Sequence, residues 1–238
     1  MELKSVLLAR ALAWVEALDL SPRGQVFYPA LVEGLIQRYG FMGYPQKLED
    51  FDETKGVKFT GGRDGKTVIE QVVIYNHGIL LDTRESTEVS QRILEGAFEW
   101  ATKEFGVAYG PKTIRLWSYY NQLAFTSTVP LSFMHPALHR LCERISNAVQ
   151  EISGETLKYE PINLQINHDL LQRSHPYGYF SIQRRASIPL SENQYFSDAP
   201  LPTDTHIAML EQFEQEIISS LPEAQPAPKR AITFDGDV

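Results

Sequence analysis

The sequence predicts an α+β fold. The expected core is an antiparallel sheet of about six strands made by three successive strand–strand–helix units, with the helices mainly on one face. Two N-terminal helices precede it and an extended C-terminal tail follows. Three observations lead there. Runs of alternating apolar and polar residues come in pairs around short turns. Each pair is followed by an amphipathic stretch with helix-start and helix-stop signals. The residues from 222 onward change composition. The expected organisation is a single α+β domain over 1–221, with a helical part at 1–40, the sheet and its helices at 57–221, and a Pro-rich tail at 222–238.

The opening stretch MELKSVLLARALAWVEALDL reads as a helix. Leu3, Leu7, Ala11, Trp14 and Leu18 share one face of a helical wheel, and Glu2, Ser5, Glu16 and Asp19 lie opposite. Leu8 and Leu12 broaden the apolar face, which suits a helix covered on more than one side, so Trp14 is a candidate partner-binding residue. Arg10 and Glu16 interrupt the apolar run, and neither a secretory leader nor a membrane span is expected. A second helix is expected from Phe27 to Arg38, closed by Tyr39-Gly40.

Gly61, Gly62 and Gly65 sit in VKFTGGRDGKT. The spacing does not match a phosphate-binding loop, and the run reads as a short strand and a turn. TVIEQVVIYNHGILLDTRES reads as a hairpin turning at Asn76-His77-Gly78. The helix after it starts at Ser86 or Thr87 and stops at Gly106. TIRLWSYYNQLAFTSTVP reads as a second hairpin around Asn121-Gln122. A helix with Pro136 in its first turn and Gly154 after its last follows, with Leu138, Leu141, Ile145, Val149 and Ile152 as its inward stripe. A third hairpin pairs YEPINLQINHDL with YGYFSIQRRASIPL, and SENQYFSDAPLP reads as a loop. The last helix starts at Thr203 or Asp204 and buries Ile207, Leu210, Phe213 and Ile217. The tail has three prolines in PEAQPAP and then an apolar hook at Ile232 and Phe234, a candidate docking segment.

The chain of 238 residues carries 22 basic and 30 acidic side chains, a formal charge of −8. That balance argues against non-specific nucleic-acid binding, which rests on neutralising phosphates. The one cysteine, Cys142, falls on the inward side of its helix and reads as a small core residue in a reducing compartment, so a cytoplasmic location is expected. His135 and His139 have the spacing of a helical metal pair, but Pro136 places His135 at the cap. Neither a metal nor a cofactor is expected. His206, in the first turn of the last helix, is expected to be a neutral, packed ring.

In FSIQRRASIPL, Phe180, Ile182, Arg184, Ala186 and Ile188 share one parity, so a guanidinium shares the apolar face of a strand. Such a group must meet a carboxylate, carbonyls or an anionic ligand, or snorkel past the sheet edge. His168 has the apolar parity of its own strand. Arg184 and His168 are therefore candidate ligand-binding residues. With Asp82, Asp169 or Glu70 as the carboxylate, His168, Asp169, Arg184 and Asp82 are the candidate catalytic residues. Asn163, Gln165 and Asn167 form an amide row on the other face. Two functions follow. The favoured one is a non-catalytic binding or assembly protein, self-associating or part of a cytoplasmic complex. The alternative is an enzyme or receptor for an anionic ligand that uses Arg184, His168 and a carboxylate.

Overall fold

The computed structural model describes residues 1–24, 26–110, 112–169 and 178–221. Among them the elements run β1 (Glu2–Trp14), α1 (Ala17–Leu20), α2 (Tyr28–Tyr39), β2 (Val57–Asp64), β3 (Thr67–Tyr75), β4 (Gly78–Thr83), α3 (Thr87–Phe105) and β5 (Leu116–Thr126). They continue with α4 (Pro136–Ser153), β6 (Asn163–Ile166), β7 (Phe180–Arg184), β8 (Gln194–Ala199) and α5 (Thr203–Ser220). The fold is mixed α and β, with one antiparallel sheet of eight strands in the order β2-β3-β4-β1-β5-β8-β7-β6. No described helix is long and apolar enough to cross a membrane.

The class agrees with the sequence; the count of six strands and several elements do not. The largest correction is the N-terminus, which is a strand and not the first of two helices. β1 occupies the middle of the sheet, between β4 and β5. A helical part at 1–40 therefore does not exist as such; α2 is the only long helix in it. The reason is physical. Ala9, Ala11 and Ala13 are buried on one face, while Arg10, Leu12 and Trp14 are half-buried on the other. A strand covered by strands on both edges and apolar on both faces loses the polar–apolar alternation that identifies strands, and its alanines favour helix in isolation.

Two further stretches differ. Asn121-Gln122 is not a turn: β5 runs straight through it, with Asn121 and Gln122 pointing to opposite faces and each hydrogen-bonded there. The expected loop QYFSDA is β8, paired with both β5 and β7. So only the first unit, β3-β4-α3, has the expected form. The second is the single strand β5 with α4, and the third is β6-β7-β8 with α5. The hairpin at Asn76-His77-Gly78 and the β6-β7 pairing are as expected. The tail at 222–238 lies outside the described residues.

α3 and α5 pack on the face of Ala9, Ala11, Asn121 and Ser197. Ser90 of α3 donates to the Ala9 carbonyl at 2.8 Å, and small residues on β1 permit that approach. The two helices meet at their N-termini. The Thr87 amide donates to Thr203 Oγ1 at 3.0 Å, and the Thr203 amide donates to Thr87 Oγ1 at 2.7 Å. Each threonine thus satisfies an orphan donor of the other helix. That exchange replaces the side-chain cap expected from Thr203 or Asp204, since Pro202 precedes α5 without one. α3 keeps the expected cap, with Ser86 Oγ accepting from Val89 N at 3.2 Å.

The alanine stripe of β1 sets how close α3 can lie. Ala11→Leu is expected to lower stability by about 1–3 kcal/mol through overpacking. A urea midpoint that does not fall would show that α3 is not seated on this strand.

Candidate functional site

Arg184 stands opposite Tyr195 in the β7-β8 ladder and turns to the helix-covered face, as its parity predicts. It is buried. Nη1 donates to the Leu190 carbonyl at 2.8 Å, and Nη2 donates to Tyr195 Oη at 3.1 Å and to the Glu160 carboxylate. The guanidinium carbon lies 4.9 Å from the Tyr195 ring centroid. Glu160 is also buried, and Lys158 Nζ sits 2.5 Å from its other oxygen. Of the outcomes open to a buried guanidinium, the structure takes the ion pair, with Glu160 and not Asp82.

Asp82 lies four strands away in the sheet order, on the opposite face. Arg10 grips it with both ends of the fork, Nε to Oδ1 and Nη2 to Oδ2 at 2.8 Å each, and Gln71 Nε2 donates at 2.6 Å. The Asp82 carboxylate holds the Arg10 guanidinium above its ordinary pKa, against the opposing effect of burial. Next to this pair, Asp198 accepts from Tyr120 Oη at 2.8 Å, Gln122 Nε2 at 3.0 Å and Ser181 Oγ at 3.0 Å. Burial, together with the hydrogen bond to Asp198, keeps the Tyr120 phenol protonated far above its usual range. Gln71, Asp82, Arg10, Tyr120, Asp198 and Ser181 thus form a polar row across the helix-free face of the sheet. The registers Gln71↔Asp82, Arg10↔Asp82, Arg10↔Tyr120 and Ser181↔Asp198 put them side by side. Reading β1 as a helix hid Arg10, and reading β8 as a loop hid Asp198.

The structure does not bring His168 to Arg184. Arg184 N bonds the Ile162 carbonyl at one end of β6, and His168 follows the other end. Six residues of strand, roughly 20 Å, separate the two positions. His168 is exposed, with Nδ1 2.9 Å from the Asp169 carbonyl oxygen. Trp14 ends β1 half-buried and donates its indole N–H to Ser118 Oγ at 2.9 Å. It lines a cavity of about 430 Å³ with Leu12, Tyr75 and Leu80. Ile232 and Phe234 lie outside the described residues. His135 caps α4 by accepting from the Ala137 amide, and His139 rests on Phe133 and Glu143.

His206 is fully buried. Asn121 commits its amide nitrogen to the Leu201 carbonyl, so its oxygen accepts from His206 Nδ1. Ser197 Oγ is 2.7 Å from Nε2 and 2.7 Å from the Ser181 carbonyl oxygen. Burial pushes the imidazole down to about 4, with the Asp198 charge opposing, so the ring is neutral as expected.

Two places remain where the fold leaves something uncovered. The first is a cavity of about 600 Å³ between α2, α3 and the sheet. Leu31, Leu35, Ile79, Leu81, Leu94 and Phe98 give it apolar walls, and Leu18, 84 % exposed, sits on its rim. Tyr28, Tyr39, Glu53 and Ser21 are its polar side chains. The Tyr28 hydroxyl is out of water with no hydrogen-bond partner among the described residues, and burial, with the nearby Glu53 charge, pushes it up to about 12.

The second is α4. Its apolar residues Leu138, Leu141, Ile145, Ala148 and Ile152 step by three and four, the spacing of a heptad seam. The sequence expectation placed Leu138, Leu141, Ile145, Val149 and Ile152 inward; Leu138 and Val149 are half-buried, but Leu141 is 45 %, Ile145 38 % and Ile152 87 % exposed. The helix instead turns Cys142 and Ser146 inward; Ser146 Oγ accepts from the Tyr159 amide at 3.0 Å, and Cys142 is buried as expected. Arg144 and Glu151 flank the seam, exposed, without an ion pair among the described residues.

Comparison with protein-family models and with curated proteins finds no match for this chain.

Two predictions follow from the buried charges. Arg184→Ala leaves the buried Glu160 carboxylate with only the largely exposed Lys158 as counter-charge and is expected to cost up to about 3–5 kcal/mol, while Arg184→Met with Glu160→Leu recovers most of it; equal denaturation midpoints for the single and double variants would refute the coupling. His206 has a folded pKa below its unfolded value, so the unfolded chain takes up its proton first as pH drops. Its stabilisation is complete above about 6.5 and is lost as pH falls towards about 4, on the order of 3 kcal/mol in all. His206→Gln is expected to flatten the stability–pH curve over that window, and an unchanged slope would assign the acid sensitivity elsewhere.

Proposed function

We propose that the chain is a non-catalytic assembly protein that self-associates, two copies packing α4 against α4 in antiparallel fashion about a twofold axis. The observation that carries this reading is the exposed heptad seam on a helix whose other side is already covered. Apolar residues at strict three–four spacing are what a helix needs to interdigitate with another helix. In the antiparallel arrangement Ile145 meets Ala148 of the second copy and Leu141 meets its Ile152. A twofold axis uses each contact twice.

Charge supports the same orientation. With those layers in register, Arg144 lies beside Glu151 of the second copy, and the reverse pair forms by symmetry. In a parallel pairing these positions fall on opposite sides of the seam, where Arg144 would face Val149 of the second copy, and the attraction is absent. Exposed pairs of this kind contribute only about 0.2–1 kcal/mol each, so they select orientation while the seam supplies the affinity. One helix pair is a small interface, and the association is expected to be concentration-dependent. The alternative, an anionic-ligand site on Arg184 and His168, has less support, because Glu160 already engages the guanidinium and His168 lies at the other end of the strand. A single buried thiol fits a reducing compartment, so the cytoplasm is the proposed location.

Size-exclusion chromatography with light scattering tests this. A dimer is expected to form with rising concentration, Ile145→Glu to abolish it and Arg144→Glu to weaken it. The Arg144→Glu/Glu151→Arg double variant should restore it, which misfolding would not produce; a parallel pairing, in which the two positions never meet, would respond to neither change. A monomer up to about 1 mM sinks the proposal.

A further inference from the structure

We infer that the cavity between α2, α3 and the sheet is a binding site for an apolar small molecule that carries one uncharged oxygen as its head group, held by the Tyr28 hydroxyl. The inference does not depend on self-association, since the cavity and α4 lie on different elements.

Size, walls and an unmet polar group point the same way. About 600 Å³ falls within the roughly 300–1,000 Å³ typical of small-molecule sites, where apolar walls surround a few polar groups. Ordered water would fill such a space poorly, because each water needs about two to four polar partners. The described walls offer four polar side chains, Ser21, Tyr28, Tyr39 and Glu53, and Ser21 Oγ already accepts from the Val26 amide at 3.1 Å. Buried hydroxyls almost always have a partner, and that of Tyr28 has none among the described residues. A ligand oxygen would supply the acceptor it lacks.

The electrostatics select the head group. Glu53 lines the cavity, and no Lys, Arg or His stands among the described wall residues. A carboxylate or phosphate head would face a like charge with no cation among the described wall residues to neutralise it. An ammonium head would suit Glu53 but leave the Tyr28 proton without an acceptor. An alcohol, ester or ketone oxygen satisfies Tyr28 and is indifferent to Glu53. Apolar body and neutral head together describe a fatty alcohol or a molecule of that type.

Isothermal titration of the full chain with 1-decanol, decanoate and decylamine tests this, with circular dichroism as the check on folding. Decanol is expected to bind, and decanoate and decylamine at least about tenfold more weakly. Tyr28→Phe should weaken decanol about five- to tenfold, the loss of one hydrogen bond, without lowering the stability of the unliganded protein. Ala97→Phe, which puts a ring into the space from α3, should abolish binding; should that variant misfold, Ala101→Leu fills the same wall more gently. No binding of decanol up to its solubility limit overturns the site. Decanoate or decylamine binding as tightly as decanol, or an unchanged affinity in Tyr28→Phe, overturns the assignment of the head group.

Discussion

The pairing of β1 on both of its edges is the constraint on which the rest of the molecule depends. On one side stands the meander β2-β3-β4; on the other stand β5, β8, β7 and β6. In the sheet, neither half pairs with the other except through this strand. The buried apolar residues divide the same way. Ala13 and Val15, at its C-terminal end, belong to the cluster under α2 and α3. Met1 and Val6, at its N-terminal end, pack against the cluster under α5. One segment, by being extended, joins two clusters into a single sheet and one continuous structure.

Polar groups do the remaining work of fixing the halves to each other. Thr87 and Thr203 exchange hydrogen bonds between the starts of α3 and α5, so the helix over one cluster is pinned to the helix over the other. The Met1 amine meets the Glu214 carboxylate of α5, and Glu214 also accepts from Ser127 and Thr128 beyond the end of β5. Each face of the sheet has its own ion cluster, Arg184 with Glu160 on the covered face and Arg10 with Asp82 on the open one. Buried charges of this kind add little net stability compared with apolar replacements, but any wrong partner leaves a charge uncompensated. Their role is to make one register of the sheet far better than its neighbours. A slip of one residue in β1 would send Arg10 to the face under α3 and an alanine to Asp82.

What could be read from the sequence follows from the same physics. α3 and α5 were legible because each has one buried stripe and one wet face, and α3 carries the capping serine and terminal glycine that geometry demands. The β3-β4 turn was legible because Gly78 ends it. The parity of Arg184 was legible because β7 has one apolar face, and so was the neutral state of His206. β1 was not, because both its faces are apolar and alternation vanishes when both sides of a strand are covered or pressed by neighbours. β8 was not, because Ser197 and Asp198 look like loop residues until His206, Tyr120 and Gln122 are brought to them from elsewhere in the chain. The expected link between His168 and Arg184 failed for a simpler reason: parity assigns a face, and it says nothing about which end of the face a residue occupies.

α4 shows the limit in its sharpest form. Periodicity finds an apolar stripe on this helix, and in a single chain such a stripe is expected to face inward. The helix in fact has two usable faces. The one carrying Cys142 and Ser146 is narrow and rests on the segment before β6, while Leu141, Ile145, Ala148 and Ile152 are left to solvent. Periodicity measures how residues are distributed around an axis, and it cannot tell an intramolecular neighbour from an intermolecular one. The charges carry that distinction. A seam meant for the protein's own core is flanked by whatever the surrounding elements require; a seam meant for its own twin must be complementary to itself when reversed. Arg144 and Glu151, seven residues apart at equivalent heptad positions and of opposite sign, meet that condition for an antiparallel pair; in a parallel pair the two positions would not meet.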